Sequence, residues 1–232
     1  MRYFALIPAA GNGTRFSGDS PKQYWMLDGK PVLAHSMERL AAAFPLQQVH
    51  VAVAPADHWF GDVIGERPGV TVLRCGGATR GETVCNLLSA LDGAADDDWI
   101  LIHDAVRPCI DPASLTRLQQ ELLHDEVGGL LALPMVGTLK RAGAQGRSVR
   151  SEPREGLWCA QTPQMFRYRV LRDALARPEA AHCTDEAQAV EAMGLQPRLV
   201  TGNPTNLKIT YPEDLTLAAA IMSAQRHARP GL

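Results

Sequence analysis

The sequence contains few of the residues that build disulfide scaffolds or zinc centres. Five cysteines occur among its 232 residues, and they are scattered, odd in number and never spaced as C-x-x-C. This pattern argues against a disulfide framework and favours reduced thiols in the cytoplasm. The seven histidines form no H-E-x-x-H motif and no other zinc-ligand spacing. We therefore expect neither a secreted disulfide-rich protein nor a zinc enzyme.

Charge and hydropathy argue against two further classes. The formal net charge is −2, which gives no bulk attraction to nucleic acid or to an anionic membrane surface. No apolar run approaches the roughly 18 residues of a transmembrane helix. The N-terminus leads directly into an apolar run, without the basic region that begins a secretory signal. We expect a cytoplasmic protein without nucleic-acid or membrane partners.

Apolar β-rich runs alternate with helical patterns along most of the chain. Strands are predicted over residues 3–7, 49–54, 70–74, 99–104, 129–133 and 198–201. Helices are predicted over residues 32–43, 82–91, 112–124, 185–193 and 213–223. This alternation predicts an α/β fold with a Rossmann-like, mostly parallel sheet and helices on both faces. We expect one domain over residues 1–232.

Residues 134–158 interrupt the alternation, and we call this segment the arm. It contains two short extended stretches around residues 143–146 and little apolar material. Its basic side chains are Lys140, Arg141, Arg147, Arg150 and Arg154. A hairpin of this kind is marginal by itself and needs another surface. A loose basic surface loop is the alternative interpretation.

The most informative segment is the glycine-rich turn after the first predicted strand. Gly11 and Gly13 allow backbone N–H groups to approach an anion closely, and Arg15 and Lys22 add two cations. The turn lacks the lysine and hydroxyl residue of a P-loop. It also lacks the third glycine of a dinucleotide-binding fingerprint, because Phe16 stands there, and the ribose-binding carboxylate is missing. The pattern predicts a different polyphosphate site, with an ordinary strand-to-helix turn as the alternative.

Five motifs in sequence order resemble one family. They are P-A-A-G-x-G-x-R with P-K-Q-Y at residues 8–15 and 21–24, H-D-A-V-R-P at 103–108, Q-T-P-Q at 161–164, T-D-E-A at 184–187 and N-L-K-I-T at 206–210. In this order and spacing, the chain resembles the 2-C-methyl-D-erythritol 4-phosphate cytidylyltransferases of the non-mevalonate isoprenoid pathway. They belong to the nucleotidyltransferases that activate sugar and polyol phosphates. The resemblance covers about residues 3–222, nearly the whole chain.

The resemblance implies a reaction and a set of site residues. The reaction transfers a cytidylyl group from CTP to 2-C-methyl-D-erythritol 4-phosphate and releases pyrophosphate. The implied catalytic residues are Arg15, Lys22, Arg154 and Lys208. The implied CTP-binding residues are Ala9, Ala10, Gly11, Gly13, Arg15, Lys22, Gly76, Thr83 and Asp104. The implied acceptor-binding residues are Asp104, Arg107, Thr138, Arg154, Thr162, Thr184, Lys208 and Thr210.

The resemblance also implies a cofactor and an assembly. Mg²⁺ would be held mostly by the CTP phosphates, with Asp104 as its protein ligand, since magnesium commonly combines one or two carboxylates with phosphates. The arm would cross to a second subunit and form a homodimer. Thr138 and Arg154 would then complete the partner's site. From the residues alone, Asp104 and Arg107 could instead form a strand-end ion pair, and Thr184 could belong to a helix start.

Three other functions remain alternatives. The same reaction could use another polyol phosphate, such as ribitol 5-phosphate. A dinucleotide-dependent oxidoreductase is less favoured, because the loop lacks the third glycine and the ribose carboxylate. A catalytically idle nucleotide-binding module is also less favoured, since such a module has no need of all four cations Arg15, Lys22, Arg154 and Lys208.

Overall fold

Eleven strands and six α-helices build the part of the chain that the computed structural model describes, residues 1–11 and 20–227. The strands are β1 (Tyr3–Pro8), β2 (Met26–Leu27), β3 (Lys30–Pro31), β4 (Leu46–Ala52), β5 (Val70–Leu73), β6 (Trp99–Ile102), β7 (Gly128–Pro134), β8 (Leu139–Ala142), β9 (Ser148–Glu152), β10 (Trp158–Arg167) and β11 (Arg198–Thr201). The helices are α1 (Val32–Ala43), α2 (Arg80–Ser89), α3 (Pro112–Leu122), α4 (Tyr168–Leu175), α5 (Glu186–Glu191) and α6 (Glu213–His227).

Seven strands form the central sheet, in the order β11-β7-β10-β6-β1-β4-β5. β1 runs parallel to β4 and β6, β4 is parallel to β5, and β7 is parallel to β11. Only β10, among the strands of this sheet, is antiparallel to its neighbours β6 and β7. The predicted mostly parallel sheet is confirmed, and all six predicted strands belong to it.

The sequence prediction missed β10, although this strand lies near the middle of the sheet. Its pairing with β7 is irregular between Ala160 and Gln164, and the residues there are polar or proline. Pro163 cannot donate a ladder hydrogen bond, and it follows a cis peptide bond. Polar residues in an apolar run hide a buried strand from a hydropathy pattern. The adjoining helix α4 was missed as well.

Helices cover both faces of the sheet because β1 alternates its side chains between them. Ala5 and Ile7 pack in one buried cluster with residues of α1 and α3, among them Leu33, Leu40 and Leu118. Phe4 and Leu6 pack in a second cluster with residues of α2, α4 and α5, among them Leu87, Leu171 and Val190. The predicted placement of helices on both faces is therefore confirmed.

A third apolar cluster attaches the last helix to the body. Ala218 and Met222 of α6 pack with Leu27, Val106 and Ile209. The segment that precedes α6 is thereby brought against the segment that follows β6. This packing carries residues 206–210 to the carboxyl edge of the sheet.

The arm contains the two extended stretches that the sequence predicts. β8 and β9 pair antiparallel in a separate two-stranded sheet. Most side chains from Gly137 to Ser151 are exposed, and Val136 and Val149 are exposed by 82% and 65%. The hairpin thus has almost no core of its own.

Within residues 1–11 and 20–227, we find no helix with the length and apolar character needed to cross a membrane.

Candidate active site

Two depressions that share lining residues lie at the carboxyl edge of the parallel strands, where ligands of such sheets bind. The larger, which we call the cleft, has a volume of about 510 Å³. It is lined by Pro8, Ala9, Ala10, Gly11, Lys22, Gln23, Gly77, Ala78, Thr79, Arg80, Thr83, Asp104, Ala105, Val106 and Lys208. The smaller, which we call the side cavity, has a volume of about 130 Å³. It is lined by Arg80, Asp104, Arg107, Ala160, Gln161, Thr162, Gln164, Thr184, Asp185 and Lys208.

Asp104 is the anionic centre where the cleft meets the side cavity. It follows β6, and only 6% of it is exposed. Its Oδ1 accepts from Nε of Arg80 at 3.1 Å, and its Oδ2 lies 3.1 Å from Nε of Arg107 and 3.0 Å from Nζ of Lys208. Burial opposes ionisation, but the cations Arg80, Lys208 and Arg107 outweigh it and hold the pKa of this carboxyl well below its usual range. The strand-end ion pair with Arg107, which the residues alone left open as an alternative, is present, and it lies inside the site.

A buried hydrogen-bond chain fixes the loop that carries Asp104. The hydroxyl of Thr162 accepts from the backbone N–H of Asp104 at 3.0 Å and lies 3.0 Å from Nδ1 of His103. Nε2 of His103 lies 3.2 Å from the backbone carbonyl oxygen of Arg107. This oxygen can only accept a hydrogen bond. Burial lowers the pKa of His103 to about 4, so the ring is neutral with its proton on Nε2. Thr162 therefore donates its single proton to Nδ1.

This chain changes what Thr162 can offer to a substrate. Its hydroxyl proton is committed to His103, and one lone pair is committed to Asp104. The side chain lines the side cavity, as the sequence predicts for an acceptor residue. It can only accept one further hydrogen bond there.

Lys22 lies in a short 3₁₀ turn that three contacts attach to the rest of the site. Its Nζ donates to the carbonyl oxygen of Ile209 at 2.9 Å. The neighbouring Gln23, 4% exposed, donates from Nε2 to the carbonyl oxygen of Ala9 at 2.7 Å. The hydroxyl of Tyr24 donates to Oδ2 of Asp57 at 2.9 Å. The two sequence motifs that contain Lys22 and Lys208 are thus brought to the same cleft.

A pair of glycines after β5, Gly76 and Gly77, shapes a wall of the cleft. A Cβ on Gly76 would lie 2.2 Å from Cβ of Ala10 and 2.9 Å from the carbonyl oxygen of Val53, so only glycine allows this packing. Gly76 itself stands behind the residues that line the cleft, while Gly77 lines it. The Thr83 hydroxyl accepts from the N–H of Gly77 at 3.0 Å. Gly76 and Thr83 therefore shape the wall.

Arg80 is a site residue that the sequence prediction missed. It is the first residue of α2, directly after the N-cap Thr79, whose hydroxyl accepts from the N–H of Glu82 at 3.0 Å. Arg80 forms ion pairs with Asp104 and with Glu186. No local pattern marks this arginine, because its partners are 24 and 106 residues away.

Thr184 and Thr210 lie at chain segments that begin helices. The hydroxyl of Thr184 donates to Oε1 of Gln188 at 3.1 Å, and the adjoining Asp185 caps α5. Thr184 lines the side cavity as well, so both interpretations of this residue apply. The hydroxyl of Thr210 donates to the carbonyl oxygen of Lys208 at 3.1 Å.

The structure does not bring every predicted site residue together. Thr138 and Arg154 belong to the arm and line neither the cleft nor the side cavity of their own chain. The exposed Arg154 donates to the carbonyl oxygen of Val136. Gly13 and Arg15 lie outside the described residues.

The donor set does not favour a metal ion on Asp104. Both of its oxygens already face cations at about 3 Å, and a divalent ion beside three cations would be repelled. In residues 1–11 and 20–227, no group of three His, Cys, Asp or Glu side chains is arranged to hold a metal. Any metal at this site has to be held mainly by other oxygens.

Comparison with known proteins agrees with this geometry. The sequence model of the 2-C-methyl-D-erythritol 4-phosphate cytidylyltransferase family matches residues 3–224. Proteins of that name from Dechloromonas aromatica and Laribacter hongkongensis are 50% and 52% identical to this chain. The alignments cover 97% and 95% of this chain, and 99% and 96% of the relatives.

Solved structures match over similar lengths. A crystal structure of a 4-diphosphocytidyl-2C-methyl-D-erythritol synthase superposes with a TM-score of 0.84 at 39% identity, covering 95% of this chain and 98% of the other. The Francisella tularensis 2-C-methyl-D-erythritol 4-phosphate cytidylyltransferase superposes with a TM-score of 0.83 at 31% identity, covering 95% and 100%. The chain therefore belongs to the 2-C-methyl-D-erythritol 4-phosphate cytidylyltransferase family, and it is an enzyme that transfers a cytidylyl group from CTP in isoprenoid precursor synthesis.

Proposed function

We propose that the cleft and the side cavity bind CTP and 2-C-methyl-D-erythritol 4-phosphate respectively, and that the transfer occurs where they meet. The observation that carries this proposal is that both volumes share Arg80, Asp104 and Lys208. A reaction between two bound molecules needs such a common boundary, because the reacting atoms must approach to about 3–3.5 Å. Two of these three shared side chains are cations, which matches the negative charge of both substrates.

On the nucleotide side, backbone groups of Ala9, Ala10 and Gly11 face CTP, and the wall shaped by Gly76 and Thr83 bounds the base and ribose. The small side chains leave room for close backbone approach. Lys22, together with Gly13 and Arg15, acts on the triphosphate. The Lys22 turn lines the cleft, which supports this role.

On the acceptor side, Asp104 and Arg107 face the polyol hydroxyls, with Thr162, Thr184 and Thr210 at the borders. Lys208 holds the acceptor phosphate. Lys208 is 43% exposed in its side chain, so it can move from Asp104 to an arriving phosphate. The exchange keeps the lysine paired with an anion throughout.

The transfer needs no general base. A phosphate monoester has its second pKa near 6, so an oxygen of the acceptor phosphate is already ionised at neutral pH. This oxygen forms a bond to the α-phosphorus of CTP, the bond from that phosphorus to the bridging oxygen breaks, and pyrophosphate leaves with the electron pair. Negative charge spreads over the oxygens around the α-phosphorus, where Arg15, Lys22 and Lys208 stabilise it.

We propose that Mg²⁺ enters as the Mg–CTP complex, held by triphosphate oxygens. The cations around Asp104 support phosphate ligation over direct ligation by this carboxylate. Lewis-acid assistance to pyrophosphate departure is the chemistry that the ion supplies when bound. Asp104 then serves the acceptor hydroxyls and positions the cations.

We further propose a cytoplasmic homodimer in which the arm reaches the partner's side cavity. Thr138 and Arg154 would complete that site. The planar guanidinium of Arg154 would bind phosphate through two hydrogen bonds. The exposed apolar side chains of Val136 and Val149 support a second surface for the arm. Five cysteines without a disulfide support a reducing compartment.

The direct test measures pyrophosphate release from CTP and Mg²⁺ with purified protein. We expect release with 2-C-methyl-D-erythritol 4-phosphate and none above background with ribitol 5-phosphate. Release only with ribitol 5-phosphate would overturn the acceptor assignment while keeping the chemistry. No release with either acceptor would overturn the proposed reaction.

A further inference from the structure

An ion pair between two helix starts connects the cleft with the side cavity. Arg80 is the first residue of α2, and Glu186 is the first residue of α5. Nη1 of Arg80 lies 2.7 Å from Oε1 of Glu186, and Nη2 lies 3.2 Å from Oε2. The two planar groups therefore meet through two parallel hydrogen bonds, the arrangement that fixes a guanidinium most strongly.

The burial of Glu186 makes this contact obligatory. Only 2% of the residue is exposed, and a buried carboxylate is tolerated only when it is paired and hydrogen-bonded. Arg80 is its one ion-pair partner among the described residues. The fork uses both terminal nitrogens of the guanidinium, so Nε alone remains directed at Oδ1 of Asp104, 3.1 Å away. Glu186 thereby determines where Arg80 holds Asp104.

Each end of the ion pair belongs to a segment that borders a different volume. The residues just before Arg80, Gly77 to Thr79, line the cleft. The residues just before Glu186, Thr184 and Asp185, line the side cavity. Gln164 of β10 attaches the same helix start, since its Nε2 donates to Oδ2 of Asp185 at 2.9 Å and its Oε1 accepts from the N–H of Ala187 at 2.8 Å. A displacement of α5 is thus transmitted through Arg80 to Asp104.

We propose that Arg80 and Glu186 form a positioning pair that aligns the acceptor side of the site with the nucleotide side. The inference rests on the proposed binding of CTP in the cleft and of the acceptor in the side cavity. The pair acts through Asp104 and neither residue is assigned a step in the chemistry. Loosening it leaves the nucleotide wall in place but lets Asp104 and its two other cations, Arg107 and Lys208, reorient.

The test uses Glu186→Gln in the full-length protein, because glutamine keeps the shape and replaces one acceptor oxygen with a donor that faces the guanidinium. We expect the acceptor KM to rise about 10-fold or more and kcat to fall, while the CTP Kd measured by calorimetry stays within about 2-fold. Glu121→Gln is the matched control, since Glu121 pairs with Arg198 on the exposed surface, and it should leave all three constants unchanged.

A second variant distinguishes positioning from general loss of structure. Arg80→Lys keeps the charge and loses the fork, and we expect the same KM pattern. In the double variant, the effect should not exceed that of the stronger single change, because both substitutions remove one interaction. Thermal unfolding checks that each variant is folded, and Glu186→Asp replaces Glu186→Gln if that variant does not fold.

Two results would overturn the inference: wild-type kinetics in folded Glu186→Gln and Arg80→Lys, or an equal change in CTP Kd and acceptor KM. Failure of the proposed function is a separate outcome, since the wild-type protein would then show no pyrophosphate release in the same assay.

Discussion

The two depressions of the site and the arm hold their arginines in opposite ways. Arg107 is buried, and it contacts Oδ2 of Asp104 at 3.1 Å and the carbonyl oxygen of Asn206 at 2.7 Å. Arg154 is exposed, contacts a carbonyl oxygen of its own arm and makes no ion pair with a described residue. A cation that is already oriented costs little reorganisation when charge develops nearby. The arm's cation needs a further surface before it is oriented.

The side chains of the cleft and of the arm are ordered by different contacts. In the cleft, residues far apart in sequence fix one another through carboxylates and backbone carbonyls. In the arm, the ion pairs are local, since Arg141 and Arg150 both contact Glu152. Exposed pairs of this kind contribute little to stability. The structure of one chain therefore describes the contacts of the cleft, whereas the role of the arm depends on the surface that it contacts.

The largest expected effect comes from removing Lys22, one of the lysines that line the cleft. Lys22→Ala should lower kcat by ~10²–10³ and change the CTP Kd little, because its main action is on the transition state. Steady-state kinetics and calorimetry measure the two quantities. Lys30→Ala is the control, since Lys30 is a half-exposed lysine that pairs with Glu38 on the surface. A turnover equal to that of the wild type would remove Lys22 from the mechanism.

An intermediate effect is expected in the arm. Arg154→Ala should raise the acceptor KM by about 10–100-fold and leave CTP binding nearly intact. Arg150→Ala, which changes an exposed arm arginine paired with Glu152, should have little effect. The reverse pattern, with CTP binding lost and the acceptor KM unchanged, would refute the assignment of Arg154.

Mixing variants shows which chain supplies Arg154. Equal amounts of Lys22→Ala and Arg154→Ala chains are refolded together and assayed at an acceptor concentration well below the KM of Arg154→Ala. The mixture should show roughly a quarter of wild-type activity if the arm acts in the partner's site of a symmetric dimer. Half of the dimers are then hybrids, and each hybrid has one intact site. An activity equal to the mean of the two separate variants would place Arg154 in the site of its own chain.

The smallest expected effect comes from the hydrogen-bond chain under Asp104. Thr162→Val leaves the N–H of Asp104 and Nδ1 of His103 without their partner, so the free energy of unfolding should fall by about 1–3 kcal/mol. We also expect several-fold lower kcat/KM for the acceptor. Thr162→Ser retains the hydroxyl and serves as the control in denaturant unfolding. Equal stability of the valine and serine variants would contradict the chain.

The alternation of apolar runs was enough to predict most of the fold. α1 has the predicted bounds, Val32–Ala43, because the helical spacing of its apolar residues agrees with their burial in the fold. The strand β10 was missed because Gln161, Thr162 and Gln164 are polar and yet buried. Burying these polar side chains serves the site, but it would be unfavourable in an ordinary strand. A hydropathy pattern therefore does not indicate a strand here.

The candidate site was predictable where motifs carry it. Asp104, Arg107 and Lys208 were expected together, and they share the side cavity. Arg80 was missed because its importance depends on Glu186, and nothing local shows that this glutamate is 2% exposed. Long-range pairing of side chains follows from the three-dimensional structure, and neither propensity nor spacing encodes it.

The contact between Lys22 and the carbonyl oxygen of Ile209 has a consequence for synthesis on the ribosome. The two residues are 187 positions apart. At the usual speed of translation, Lys22 is made about 10–40 s before its partner. A nascent chain can pair β1, β4 and β5 early and still lack one side of the cleft. Nucleotide binding should therefore require the completed chain. Ribosome-bound intermediates that stop before residue 206 should not retain CTP.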